Sequence, residues 1–336
     1  MSSVEFTHKM SAHCESGTLA ALLNHKGLPI TEQMIFGISG AFFFAYLDTK
    51  QFTFPQFVVR SQPGDMRVHI EKRLGMKLVK EKFTDPVNAL ANTDDLLNRG
   101  IPHAVQVDMF YMEYIPKYMK AHFNGHFITV VGKEGNNYLV SDGYYPSIVT
   151  LSSEAMEMGR FAKGSLAPKG FTFYPESVKS ASDIDWKKQI YAGIKQVVFN
   201  MTKIPIPFLG VKGIRKFANE VTKWHLKTRD IDHLSHEITT IHIILEERGT
   251  GGAGFRFMYA SFLQEASKLI NNPALSDMSK KMMENGDNWR EISLFVARIS
   301  KNRELDAGKM NELKNMILAR ADWEETFFKE LGKIVK

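Results

Sequence analysis

The segment GHFITVVGKEGNNYLVSDGYY (residues 125–145) holds two strand-like runs, HFITVV and NYLVSD, separated by GKEGN. β-Branched and aromatic residues fill the runs, and the glycines and asparagine between them permit a tight reversal, so the segment predicts an antiparallel β-hairpin. In such a pair the start of one strand lies beside the end of the next. That places His126 and Asp142 at one end of a sheet. A carboxylate holding one imidazole nitrogen leaves the other free to take a proton. The plainer alternative is a histidine that merely satisfies itself at a strand edge.

Outward from the hairpin, the first half of the chain mixes both periodicities. Residues 15–26 carry Leu19, Leu22 and Leu23 on helical spacing and stop at Gly27 and Pro29. DMRVHIEKRLG (65–75) and DPVNALANTDDLLNRG (85–100) read as amphipathic helices ending at glycine, each followed by a strand-like run, KLVKEKFT and IPHAVQVDMFYM. From about residue 176 the pattern becomes helical, in DWKKQIYAGIKQVVFN, VKGIRKFANEVTKWHL, DIDHLSHEITTIHIILEER, FRFMYASFLQEASKLI and NELKNMILARADWEETFFKELGKIV. The chain of 336 residues is long for one core. It divides on this reading into a mixed α/β domain, residues 1–175, and a helical domain, residues 176–336.

Cys14 is the only cysteine. It lies where a helix is expected to begin, and the unpaired N–H groups and positive dipole end there favour a thiolate. A nucleophilic cysteine needs a base and the base an orienting acceptor, roles that His126 and Asp142 could fill. A small buried core residue is the other reading of a lone cysteine.

These residues carry a family resemblance. A cysteine at a helix start near the N-terminus, with His and then Asp on adjacent strands more than a hundred residues later, resembles the papain-like cysteine peptidases and acyltransferases. More narrowly, HCESGTLAALLNHKGLPITEQMIFGISGAFFF, GHFITVVG and YLVSDGY resemble the N-terminal part of the butirosin biosynthesis protein H family. LEERGTGGAGFRFMYASFLQEA (245–266) resembles the helical domain that accompanies it. The resemblance implies an α+β papain-like fold followed by an all-helical domain, and a cytoplasmic acyltransferase of secondary metabolism. Its donor would be an acyl carrier protein thioester and its acceptor a small-molecule amine, with no cofactor. It assigns Cys14 as the acyl-accepting nucleophile, His126 as general base and acid, and Asp142 as the residue that orients His126. A hydrolase with the same three residues, or a binding module that lost the chemistry, are the alternatives. Papain-like enzymes often carry a Gln about six residues before the nucleophile as an oxyanion donor. His8 stands there instead and is the candidate, with the Cys14 backbone N–H beside it.

His13, Gly251 and Gly252 are further substrate-binding candidates. GTGGAG (249–254) lacks the Lys-Ser/Thr of a phosphate loop and follows a helix rather than a strand, so a tight connection with positive-φ glycines is its simplest reading. DIDHLSHE lacks zinc-enzyme spacing, so no metal site is expected. YMEYIPKYMKAHF (111–123), rich in Tyr and Met, is either ordinary packing or a loop over the active site. A formal net charge of +6, with basic and acidic residues alternating and no basic run interleaved with aromatics, gives no nucleic-acid signature. The most apolar run, IFGISGAFFFAYL (35–47), is far short of the ~20 residues of a membrane helix. One cysteine and no visible secretory signal point to the cytoplasm.

Overall fold

The computed structural model describes residues 2–50 and 52–336. The chain forms two compact units, one of residues 1–35 and 67–184, the other of residues 36–66 and 185–336. The first unit is mixed α+β and the second chiefly helical, in line with the fold class expected. No helix among the described residues is long and apolar enough to cross a membrane.

Along the chain come β1 (Ser2–Ser3), α1 (Cys14–His25), α2 (Glu32–Ser39), β2 (Phe42–Leu47), β3 (Gln56–Arg60), α3 (Asp65–Leu74), β4 (Lys77–Glu81) and α4 (Pro86–Asn98). They are followed by β5 (His103–Val107), β6 (His126–Glu134), β7 (Asn137–Ser141), β8 (Val149–Ser152), α5 (Ser153–Arg160) and β9 (Thr172–Ser177). In the first unit an antiparallel sheet runs β4-β9-β5-β6-β7-β8, with β1 joined to the far end of β6. β6 and β7 form the expected hairpin, with Val130 opposite Val140 and Thr129 opposite Ser141. Its reversal turns on Gly135, at φ 59°. β5 covers the other edge of β6 and sets Val107 opposite His126.

α1 packs against β5, β6 and β9 and buries nine of its twelve residues. Such a helix has no polar face to give to water. Between the sheet and α4 and α5 lies a core that includes Val105, Val107, Ile128, Val130, Tyr138, Val140, Leu151 and Met156.

In the second unit α6 (Trp186–Thr202), α7 (Gly210–Val221), α8 (Ile231–His242), α9 (Arg256–Leu269), α10 (Pro273–Asn302) and α11 (Ala307–Ile334) join the β2–β3 hairpin, with α6 and α7 packed directly on β2 and α10 packed on α8, α9 and α11. A single division at residue 175 does not describe this chain, because residues 36–66 leave the first unit and join the helices. The aromatics of β2 are the reason. Phe44 stacks on Phe57 at 5.5 Å, Phe57 meets Phe217 of α7 at 4.8 Å, and Phe42 meets Tyr259 of α9 at 5.0 Å. Trp224 Nε1 donates to the Tyr46 hydroxyl at 3.1 Å, so the polar atoms of both rings are satisfied inside the cluster. The chain passes from the first unit back to the second at Asp185, the N-cap of α6, nine residues beyond the expected start of the helical domain.

Candidate functional site

The backbone before Cys14 is fixed from several sides. His13 is extended and caps α1, its Nδ1 accepting from Ser16 N at 3.3 Å. The Glu32 carboxylate accepts from the backbone N–H of Ala12 at 3.0 Å, from that of His13 at 2.7 Å and from the Ser16 hydroxyl at 3.1 Å. Burial pushes the Glu32 carboxyl above its ordinary range, and these three donors pull the other way. Ser11 runs between two glycines, with its N–H donating to Gly143 O at 2.8 Å. A Cβ on Gly17 would come within 2.1 Å of the Ser11 hydroxyl oxygen, and one on Gly143 within 1.9 Å. Both positions therefore exclude a side chain, and the close approach ties the start of α1 to the turn that follows β7.

Cys14 is thus the first residue of α1, and it is buried. Its thiol donates to Gly125 O at 3.8 Å. His126, with no exposure, opens β6 from the next position. Its Nε2–H donates to Asp142 Oδ2 at 2.7 Å, while Nδ1 has no hydrogen-bond partner among the described residues. Asp142 follows the last residue of β7 and is itself 1% exposed. The hairpin register brings the two side chains diagonally together.

Asp142 accepts more than one bond. Tyr114 donates its hydroxyl to Oδ2 at 2.9 Å, and the Tyr144 N–H donates to Oδ1 at 3.1 Å. The latter closes an Asx turn, with Tyr145 N bonded to Asp142 O at 3.0 Å. Burial opposes the carboxylate, but the charge and hydrogen bonding of His126, with the Tyr144 and Tyr114 donors, hold Asp142 below its ordinary range. Burial likewise opposes the imidazolium of His126. The Asp142 charge and hydrogen bond, with smaller contributions from Cys14, outweigh it and raise His126 to about 10. The result is a buried ion pair beside Cys14, with the second ring nitrogen free of any carboxylate.

Of the remaining sequence candidates, His8 is not available as an oxyanion donor. Its Nε2 is bonded to Tyr145 O at 2.8 Å and its Nδ1 to the Ser141 hydroxyl at 2.7 Å. Both ring nitrogens thus brace the turn that carries Asp142. His13 is buried, and its Nδ1 is committed to capping α1. Gly251 and Gly252 belong to the second unit, in the connection between the π-helical turn Ile243–Glu247 and α9. They adopt φ 70° and 91°, and Gly252 N donates to the Thr250 hydroxyl at 3.1 Å, so the segment is the tight connection its glycines favour. His233 of DIDHLSHE faces Glu237 at 3.4 Å, and its Nδ1 accepts from Arg229 N at 3.3 Å.

Sequence reading missed four supports of the site. Tyr114 lies in the segment 111–123, whose Tyr118 is 88% exposed, so that segment both packs and faces solvent. Glu32 acts from α2, eighteen positions after Cys14. Glu15 is fully buried and paired with Arg67 at 2.7 Å, and the Arg67 guanidinium lies 4.7, 5.1 and 5.0 Å from the rings of Phe127, Phe171 and Phe173. An acidic residue next to the only cysteine was a visible signal for a buried partner. Tyr144 stacks on His126 with ring centroids 5.3 Å apart and 28° between planes, and its only sequence signal was its place two residues after Asp142.

Two family models match successive stretches of the chain. Residues 13–143 match the family model of butirosin biosynthesis protein H, N-terminal. Residues 154–331, more than half of the chain, match that of a domain of unknown function, DUF4872. No curated protein matches. A solved Bacillus anthracis protein described as C39-like peptidase is 12% identical, covers 53% of this chain and 100% of its own, and has a TM-score of 0.36. So low a score carries no argument about fold or activity. The chain belongs to the family defined by the domain of unknown function DUF4872, preceded in sequence by a butirosin biosynthesis protein H N-terminal domain.

Proposed function

We propose that the protein is a cysteine-dependent acyltransferase that carries the acyl group on Cys14. The observation that supports this most directly is the fully buried His126, paired with Asp142 at 2.7 Å and with Nδ1 unpartnered beside Cys14 at the start of α1. Burying an ion pair at a helix start is costly unless geometry and hydrogen bonds compensate, and its value here is chemical. The proton given up by Cys14 rests on His126 as the imidazolium that Asp142 favours, and the Cys14 thiolate beside it attacks the carbonyl carbon of a thioester. The tetrahedral intermediate expels the donor thiolate, which takes the proton from His126. An amine then attacks acyl-Cys14, gives its proton to His126 and leaves as the amide, and Cys14 is restored.

The donor proposed is an acyl carrier protein thioester and the acceptor a small-molecule amine, as the butirosin biosynthesis protein H resemblance implies. Exchange of one thioester for another is close to isoenergetic, so the first step needs no activating cofactor. The test is incubation with acyl thioesters, followed by mass spectrometry of the intact protein and of its products with and without added amines. An acyl adduct on Cys14 that passes to the amine, and is absent in Cys14→Ala, is the expected result. A Cys14→Ala protein that transfers at the unsubstituted rate sinks the proposal, and products formed only with water reassign the protein as a hydrolase.

A further inference from the structure

Acyl transfer at Cys14 develops negative charge on the carbonyl oxygen, and that charge needs donors within hydrogen-bonding distance. His8 cannot supply one, because both of its ring nitrogens are bound to the turn after β7. The Gly125 carbonyl, which meets the Cys14 sulfur, is an acceptor and would repel an oxyanion. As the first helical residue, Cys14 has a backbone N–H outside the intrahelical ladder of α1.

The hydroxyl of Tyr144 lies close to that N–H, from a ring stacked on His126, the residue that also flanks Cys14. Three contacts fix Tyr144 there. Its own N–H is held by Asp142 Oδ1 at 3.1 Å, its ring stacks on His126 at 5.3 Å, and the flanking turn is closed by Tyr145 N on Asp142 O. Beside it the fully buried Nδ1 of His126 has no partner. Two donors, the imidazole of His126 and one nucleophile therefore converge where a carbonyl would be attacked.

We infer that Tyr144 is a catalytic residue, its hydroxyl and the Cys14 backbone N–H together holding the oxygen of the tetrahedral intermediate. This rests on the proposed role of Cys14. The sulfur–carbon bond forms as the carbonyl π pair moves onto oxygen, and that oxygen enters between the two donors and takes a hydrogen bond from each. On collapse the pair returns, the leaving group departs with its bonding electrons, and His126 supplies its proton. Burial, with the charge of Cys14, holds the Tyr144 hydroxyl well above its ordinary range, so it stays a donor throughout the neutral region.

The test compares two reactions of the same sulfur in the full-length protein. Acetylation by p-nitrophenyl acetate passes through an oxyanion. Alkylation by iodoacetamide displaces iodide at a saturated carbon and does not. Tyr144→Phe keeps the ring and its stacking on His126 and removes only the hydroxyl. Acetylation of Cys14 should fall about 100- to 1,000-fold, the loss seen when one oxyanion donor is removed, while alkylation stays within about threefold. Equal acetylation rates in the two proteins would overturn the assignment. So would a parallel fall of both reactions, since Tyr144 would then act through His126 or through folding. If unsubstituted protein gains no acetyl group on Cys14 at all, the failure lies in the acyl-Cys14 reading itself, a result distinct from equal rates in an active pair.

Discussion

Asp142→Asn keeps the shape of the side chain and removes its charge. His126 is fully buried, and the carboxylate at 2.7 Å is the largest influence favouring its imidazolium. Raising the ring from 6.5 to about 10 corresponds to about 5 kcal/mol in favour of the charged form. Without the carboxylate, burial dominates and the ring is neutral at pH 7. The cation beside Cys14 is lost. Iodoacetamide alkylation at pH 7 should therefore be slower in the variant, by at least about tenfold. Equal rates at pH 7 would show that the ion pair does not activate Cys14. Stability offers a second readout. The contribution of His126, whose folded value is raised, is whole below 6.5 and fades as the pH climbs to about 10. That of Asp142, whose folded value is lowered from 3.8, is present above 3.8 and is lost on acidification. The gap in Tm between the two proteins should be widest between those limits and narrow on both sides.

Three further outcomes follow from the supports of the site. Arg67→Met leaves Glu15 buried opposite an apolar side chain and should cost about 3–5 kcal/mol in urea unfolding, most of it recovered when Glu15→Gln is added; a loss below about 1 kcal/mol would mean the pair is not desolvated. Gly143→Ala forces a methyl group against the Ser11 hydroxyl, which approaches within 1.9 Å, so it should lower stability by about 1–3 kcal/mol, and an unchanged Tm would contradict that packing. Tyr114→Phe removes one of two donors to Asp142 Oδ2, a charged acceptor, and should cost about 1.5–3 kcal/mol of unfolding free energy. Its cysteine should still be alkylated at pH 7 close to the unsubstituted rate, because the ion pair with His126 persists.

Much of the first unit was legible because its signals are local. The hairpin, the helix at Cys14 and the two helices ending at Gly75 and Gly100 each announce themselves within about fifteen residues, by periodicity and by a glycine stop. Two elements were not legible in the same way. The run FFFAYL has no polar face, so its sequence says that it is buried and does not say in which core. Phe217, Trp224 and Tyr259, which cover it, lie far away in the chain. α10 spans thirty residues, yet Pro273 at its start and the polar tract around Gly286 interrupt the apolar pattern by which a helix is read.

The site divides along the same line. Cys14, His126 and Asp142 can be picked out because each has a recognisable local place: a helix start, a strand start, a strand end. Their supports are long-range and chemically unremarkable in sequence. Glu32 caps a helix to which it does not belong, His8 braces a turn 133 positions away, and Ser11 fits only where Gly17 and Gly143 leave room. The misassignment of His8 shows the consequence. Counting back six residues finds a polar side chain where an oxyanion donor is expected, but a histidine has only two ring nitrogens, and here the fold has used both. Tyr144 is the reverse case, a residue with no motif of its own that the Asx turn carries from the end of β7 over His126 to the N–H of Cys14. The chemistry at Cys14 is thus set less by the three residues that can be named from sequence than by the turn after Asp142, which orients the base, fixes the pre-helix segment and presents a hydroxyl to the nucleophile's backbone.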